Sequence, residues 1–258
     1  SSAASDVYKR QLWAGIMINM TILHIPRMTC HPNSGGNMFP VKKQDVGLPE
    51  HNSGGAFTFD DKDHTYRLDD RQIPSTSEIL DILAPMEWTP NSQDGMERGT
   101  RVHEITAFHD LAVLNHSAVS DDLDELMPYL SAWTAFLTDF AQTFRGQRVI
   151  VEAPIYCRST KYARLEYGAT LDRILPDIGL GIEIKTGSTT YKKRYAMQAQ
   201  AYMHAVRSWG IRIDTMIQVH LLPDGVYRIA NEHKYDKSAV NIFKAGLTVW
   251  RFQNNNQK

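Results

Sequence analysis

Apolar residues recur along the chain in two rhythms, and the change from one to the other divides it. Phe57 and Phe59 alternate with polar residues, and Tyr66 and Leu68 do so again across the polar turn of "AFTFDDKDHTYRLDD", which predicts a small hairpin. Helical spacing follows. In "IPSTSEILDIL", Ser75 with Glu78 makes a capping-box pattern, and Ile79, Leu80, Ile82 and Leu83 form the face to be buried. "DGMERGTRVHEITAFHDLAVL" predicts a helix entered near Gly99. "DDLDELMPYLSAWTAFLTDFAQTF" predicts an amphipathic helix or a pair, acidic at the N-terminal end that its dipole favours, with Pro128 marking an internal start. Beyond it the rhythm shortens. "RVIVEAPIYC", "EYGATLDRILP", "GLGIEIKTG" and "DTMIQVHLLP" are short runs rich in β-branched residues and bounded by turn residues, so they predict strands. A helix, "YKKRYAMQAQAYMHAVRSWG", separates the third from the fourth; a strand, "VYRIANEH", and a helix near residues 237–252 close the chain. Three meandering strands, a helix and further strands predict a mixed α/β fold, with a central mixed β-sheet flanked by helices and a helical N-terminal part.

Composition narrows this picture. The chain has 258 residues, 42% of them hydrophobic, which suits one large domain or one domain with an appendage. Cys30 and Cys157 are its two cysteines and no C-x-x-C occurs, which excludes a zinc ribbon, an iron–sulfur cluster and a disulfide framework, and fits a reducing cytoplasm. No apolar run of about eighteen residues exists, so no membrane partner is expected. "SDVYKRQ" matches a translated transposase mosaic-end adapter, so residues 1–11 read as a sequencing artefact, with the start at Met17, Met20 or later. Residues 1–55 as a whole read as a disordered leader, because the stretch before the hairpin is rich in Gly, Pro, Asn and Ser without periodicity. The net charge of −1 hides an asymmetry: residues 60–140 hold 17 acidic and 5 basic residues, whereas residues 141–212 hold 5 acidic and 12 basic. A basic segment of this kind can hold a polyanion locally, although solvated surface lysines and arginines would produce the same count.

The basic segment also carries the candidate chemistry. Asp172 and Glu183 lie eleven positions apart on strands predicted to be adjacent, and Lys185 shares the face of Glu183 because strand side chains alternate. Two carboxylates brought together repel unless a cation lies between them, and oxygen ligands favour Mg2+ or Mn2+. A lysine beside such an ion can orient water or stabilise a phosphate oxygen. The ordinary alternative is a Glu–Lys pair on a solvated sheet face. Further residues bear on the choice. His103 stands in the first turns of a helix, Glu152 on the strand preceding Asp172, and Gln198 and Tyr202 at i and i+4 on one helical face. Each has an ordinary reading as well: a surface or core histidine, a strand-end charge, a helix-packing pair with a polar handle.

Together and in this order the residues resemble the RecB-like branch of the PD-(D/E)XK nuclease superfamily. That branch is marked by G-T-x-x-H, E-x-P, G-x-x-D, (D/E)-x-K and Q-x-x-x-Y. The matches are Gly99-Thr100 with His103, Glu152 with Pro154, Gly168 leading to Asp172, Glu183 with Lys185, and Gln198 with Tyr202, over residues 63 to 220. One departure is that four positions, not three, separate Gly168 from Asp172. The resemblance implies a restriction-endonuclease-like core, with residues 56–258 forming a single nuclease domain of the type without an iron–sulfur cluster. It implies a metal-dependent deoxyribonuclease, an exonuclease of phage recombination or repair in a bacterial cytoplasm. Mg2+ or Mn2+ would be the cofactor and DNA the substrate. His103, Asp172, Glu183 and the Ile184 carbonyl would be metal ligands, and Lys185 would position or help deprotonate the attacking water. Glu152 would be a supporting or second-metal acid, and Gln198 and Tyr202 would hold the DNA backbone or brace the site. Lys192, Lys193 and Arg194 would contact phosphates, where the ordinary reading is a solvated helix start. With no G-x-x-x-x-G-K-[ST] in the chain, unwinding would fall to a helicase partner, and a single-strand annealing partner is the other expected associate. The rivals are an endonuclease on the same core and an inactive nucleic-acid-binding module.

Overall fold

The short β-branched runs pair as one sheet, in a computed structural model that describes residues 57–60, 63–86, 92–110, 123–157, 166–187 and 191–254. Strands β4 (Ile150–Cys157), β5 (Tyr167–Leu175), β6 (Leu180–Lys185), β7 (Thr215–Leu221) and β8 (Tyr227–Lys234) lie in sequence order. All neighbours are antiparallel except β6 and β7. That parallel pair is joined by helix α5 (Lys192–Ser208), since a parallel connection needs a crossover that a hairpin cannot supply. The expected meander is β4–β5–β6. Helix α1 (Thr76–Leu83) opens with the predicted capping box: Glu78 N donates to Ser75 Oγ at 3.2 Å and Ser75 N to Glu78 Oε2 at 2.7 Å.

Helices cover the sheet through two apolar clusters. Ile79 and Leu80 of α1, Ala201 and Met203 of α5, and Phe243 and Leu247 of helix α6 (Lys237–Asn254) pack with Ala153, Ile155 and Leu171 of β4 and β5. Val102 and Ile105 of helix α2 (Ser92–Asp110), with Trp133 and Phe136 of helix α3 (Leu123–Asp139), pack with Ile182, Ile184 and Val219 of β6 and β7. Three expectations change here. Helix α2 begins at Ser92 rather than near Gly99, with Gly95 and Gly99 inside it; packing against the sheet and α3 offsets the roughly 1 kcal/mol each glycine costs a helix. Pro128 starts no new helix but lies within α3, and the break falls later, before the short helix α4 (Ala141–Phe144). The hairpin β1 (Phe57–Asp60) and β2 (Thr65–Leu68) gains a third strand, β3 (Arg71–Ile73), which at three residues is too short to show alternation. The expected leader, residues 1–55, lies outside the described residues. Among the described residues no helix is long and apolar enough to cross a membrane.

Gly168 is where the small sheet docks on the large one. Its N–H donates to Pro74 O at 2.8 Å, its carbonyl accepts from Thr76 Oγ1 at 3.0 Å, and Tyr66 Oη pairs with Thr170 Oγ1 at 2.8 Å just beyond. The Tyr66 ring lies so close that a Cβ on Gly168 would stand 2.1 Å from Tyr66 Cγ. The glycine therefore gives the hairpin a seat on β5 four residues before Asp172. Gly168→Ala is expected to lower stability by about 1–3 kcal/mol, the range for overpacking a filled interior. Urea denaturation measures it; a midpoint equal to the parent's would mean that the small sheet does not rest on β5.

Candidate active site

Each expected site residue is delivered by a different element. Asp172 comes from the middle of β5, Glu183 and Lys185 from the C-terminal half of β6, and Glu152 from β4. His103 comes from α2, and Gln198 and Tyr202 from α5. Because helices cover both faces of the sheet, the carboxylates are buried: Asp172 is 5% exposed and Glu183 4%. The alternative of a solvated Glu–Lys pair does not fit this burial.

Two linked groups of side chains result. In the first, His103 Nδ1 lies 3.2 Å from Asp172 Oδ1 and 3.6 Å from Glu152 Oε1. Ligand atoms of His103, Glu152 and Asp172 all fall within 4.8 Å of one another, as a bound cation requires. The other Asp172 oxygen accepts from the Ile184 N–H at 2.6 Å, which ties β5 to β6 beside the residue whose carbonyl is the expected ligand. In the second group Glu183 Oε1 accepts from Lys185 Nζ at 2.6 Å and from Gln198 Nε2 at 3.0 Å. Gln198 in turn accepts from Lys185 Nζ at 3.3 Å and donates to Tyr202 Oη at 2.9 Å. Thus α5 braces the β6 carboxylate through one amide. Glu183 Oε2 is buried with no hydrogen-bond partner, a costly condition for a carboxylate oxygen in the interior.

Electrostatics bind the two groups together. Burial pushes the Glu183 carboxyl up, and the neighbouring Asp172 charge pushes it further, to about 7 against the opposing pull of Lys185. Burial also raises Asp172, but the His103 charge outweighs it and holds the group below its usual range. Burial disfavours the His103 cation, yet Asp172 and then Glu152 overcome this and raise it to about 10. Lys185 is likewise raised: burial opposes its charge, and Glu183 and Asp172 prevail. A proton on His103 thus stands between two carboxylates. An imidazole nitrogen and carboxylate oxygens on two strands form a donor set that fits a divalent cation. Glu183 itself is not within the tight His103–Glu152–Asp172 cluster.

The basic run at the start of α5 divides. Lys192 and Lys193 are exposed, whereas Arg194 is buried, pairs with Asp81 at 2.8 Å and donates to Ala84 O at 3.1 Å. Arg194 is thereby spent on holding α1 to α5. Several residues around the site went unread in the sequence. Tyr195 lies under Lys185, with Nζ 4.9 Å from the ring centre; its i, i+3, i+7 spacing with Gln198 and Tyr202 was an available signal. His220 stands beside Lys185 in the β6–β7 register and pairs with Gly187 O at 2.8 Å. Arg173, next to Asp172, is almost fully buried and pairs with Asp110 and Glu152. A charge in the middle of a strand covered on both faces signals a buried partner, but the sequence does not say which.

No family model matches the chain, and no curated protein matches it in sequence. Solved structures similar to it include an alkaline exonuclease from Laribacter hongkongensis, at 15% identity over 70% of this chain and 87% of that one, with a TM-score of 0.40. A phage-related exonuclease from Haemophilus somnus matches at 13% identity over 68% of this chain and 90% of that one, with a TM-score of 0.34. Both likenesses are distant, and the chemistry of the site rests on its own geometry.

Proposed function

We propose that the protein is a metal-dependent deoxyribonuclease of the PD-(D/E)XK type, in its RecB-like branch, and that it acts as an exonuclease. The observation that carries this reading is the meeting of the buried carboxylates Asp172 and Glu183 with Lys185, His103 and Glu152, leaving one buried carboxylate oxygen without a partner. His103, Glu152, Asp172 and Glu183 would hold the ion. A divalent cation bound there supplies acidity to a water and offsets charge on the scissile phosphate. The chain's own groups do the rest. Lys185, held cationic by Glu183 and Asp172, donates hydrogen bonds to the attacking water and to a phosphate oxygen rather than acting as a base. Gln198 fixes both ends of the Glu183–Lys185 pair, and Tyr202 fixes Gln198. Lys192 and Lys193 are exposed and would meet backbone phosphates, so binding should weaken with salt as counterions are released.

Charge supports the exonuclease reading. Helices α2 and α3 belong to the acidic part of the chain and stand on the His103 side of the site, where they repel a second approaching strand. The remaining approach would run along the basic start of α5, where Lys192 and Lys193 are exposed. A strand end entering there is accepted and continuous duplex is not. The test is purified protein with Mg2+ on linear and on covalently closed DNA. Linear DNA is expected to fall to short products while closed circles survive. Nicking of circles at a comparable rate would replace the exonuclease by an endonuclease. Binding of DNA with no cleavage of either substrate, or full cleavage in EDTA, would overturn the reading.

A further inference from the structure

We infer that Arg173 is a positioning residue that fixes the helix carrying His103 against the strands carrying Glu152 and Asp172; this rests on the metal-site reading above. Arg173 is 1% exposed and is spread over three elements. Nε donates to Asp110 Oδ2 at 2.5 Å and Nη2 to Thr106 Oγ1 at 3.2 Å, both on α2. Nη1 donates to Glu152 Oε1 on β4 at 3.1 Å and to the Asp172 carbonyl on β5 at 2.6 Å. His103, Thr106 and Asp110 follow at i, i+3 and i+7, so they share one face of α2. The guanidinium grips that face one turn beyond the histidine, and Glu152 Oε1 is reached both by Arg173 and by His103 Nδ1.

Two features separate this from an ordinary buried ion pair. Glu152 has φ +48°, in the left-handed region that residues other than glycine seldom adopt. Such a backbone persists where its surroundings over-determine it, and the Arg173–Glu152 bond is one constraint that does so. Asp110, the anchor on the far side, is itself fixed: Trp133 Nε1 donates to it at 2.8 Å, and Arg173 lies 5.4 Å from the centre of the Trp133 ring. The four bonds need a planar fork. A lysine offers a point charge on a flexible stem and cannot span α2, β4 and β5 together. Residues that orient ligands from behind typically change metal affinity by about 10–100-fold when lost.

Mn2+ binding by electron paramagnetic resonance, with cleavage measured across Mn2+ concentrations, tests the inference on three proteins. The parent should bind Mn2+; if it does not, the metal-site reading and this inference fall together. Arg173→Lys should weaken Mn2+ binding by about 10–100-fold and recover most of the parent kcat at saturating Mn2+. Thr106→Val removes one bond on the α2 side and keeps the charge pair. It should weaken binding several-fold with little change in melting temperature, and it decides the matter should Arg173→Lys fail to fold. Parental Mn2+ affinity in either folded variant, or a lowered kcat at saturating metal with affinity unchanged, would overturn the positioning role while leaving the metal site intact.

Discussion

Asp172→Asn and Glu183→Gln are each expected to reduce DNA cleavage by at least about a thousandfold, the scale on which essential catalytic groups act. The side chains keep their shape, so the loss would report charge rather than packing. Asp172 faces His103 with one oxygen and accepts the Ile184 N–H with the other; an amide keeps one acceptor and removes the negative charge that a cation needs. At Glu183 the amide can still accept from Lys185 and Gln198, but the unpartnered oxygen becomes a donor with nothing to receive it. Stability should respond differently from activity. Burial and Asp172 already disfavour the ionised Glu183 near neutrality, so neutralising it should leave the metal-free melting temperature close to the parent's. Activity lost with the fold retained is the expected pair of results, read by gel assay and thermal melting. Lys185→Ala should cost about a hundredfold or more, since it removes a preorganised donor. Cleavage by Glu183→Gln at the parental rate would remove Glu183 from the mechanism.

What the sequence disclosed follows from the range of the interactions involved. Strand parity is local, so it was enough to put Glu183 and Lys185 on one face, and the structure joins them at 2.6 Å. The i, i+4 pairing of Gln198 and Tyr202 is equally local, and they are hydrogen-bonded. The capping box of α1 is a four-residue motif and was read directly. Features decided by distant partners were not legible. Arg194 reads as one of three cations offered to phosphates until α1 brings Asp81 to it. Arg173 has no partner that the sequence can name until α2 brings Asp110 from 63 positions away. The left-handed backbone of Glu152 has no sequence signal, because glycine, the residue that would announce it, is not there. The true start of α2 was hidden by Gly95 and Gly99, whose low helix propensity is overruled by packing.

Metal binding should be strongly pH-dependent, and the sign follows from the proton it displaces. In the metal-free protein His103 is raised to about 10 by Asp172 and Glu152 against the opposing effect of burial, so at neutral pH it carries a proton between the carboxylates. A cation on that nitrogen must expel it. Between pH 7 and 10 the apparent dissociation constant for Mg2+ should therefore fall about tenfold for each pH unit. Below pH 7 Glu183, raised to about 7 by burial and by Asp172, adds a second proton, and the dependence should approach a hundredfold per unit. Stability carries the opposite sign without metal. A histidine whose folded pKa lies above its ordinary 6.5 contributes stability that is complete below 6.5 and is lost as pH rises to about 10. The metal-free protein should thus weaken over that window, while the stabilisation given by a fixed Mg2+ concentration should grow. Calorimetric titration in two buffers of different ionisation heat counts the protons: close to one released per ion at pH 8, and more at pH 6. His103→Gln should abolish the release at pH 8 and flatten the dependence above pH 7. An affinity constant from pH 6 to 9, or unchanged proton release in His103→Gln, would mean that the cation does not take the place of this proton.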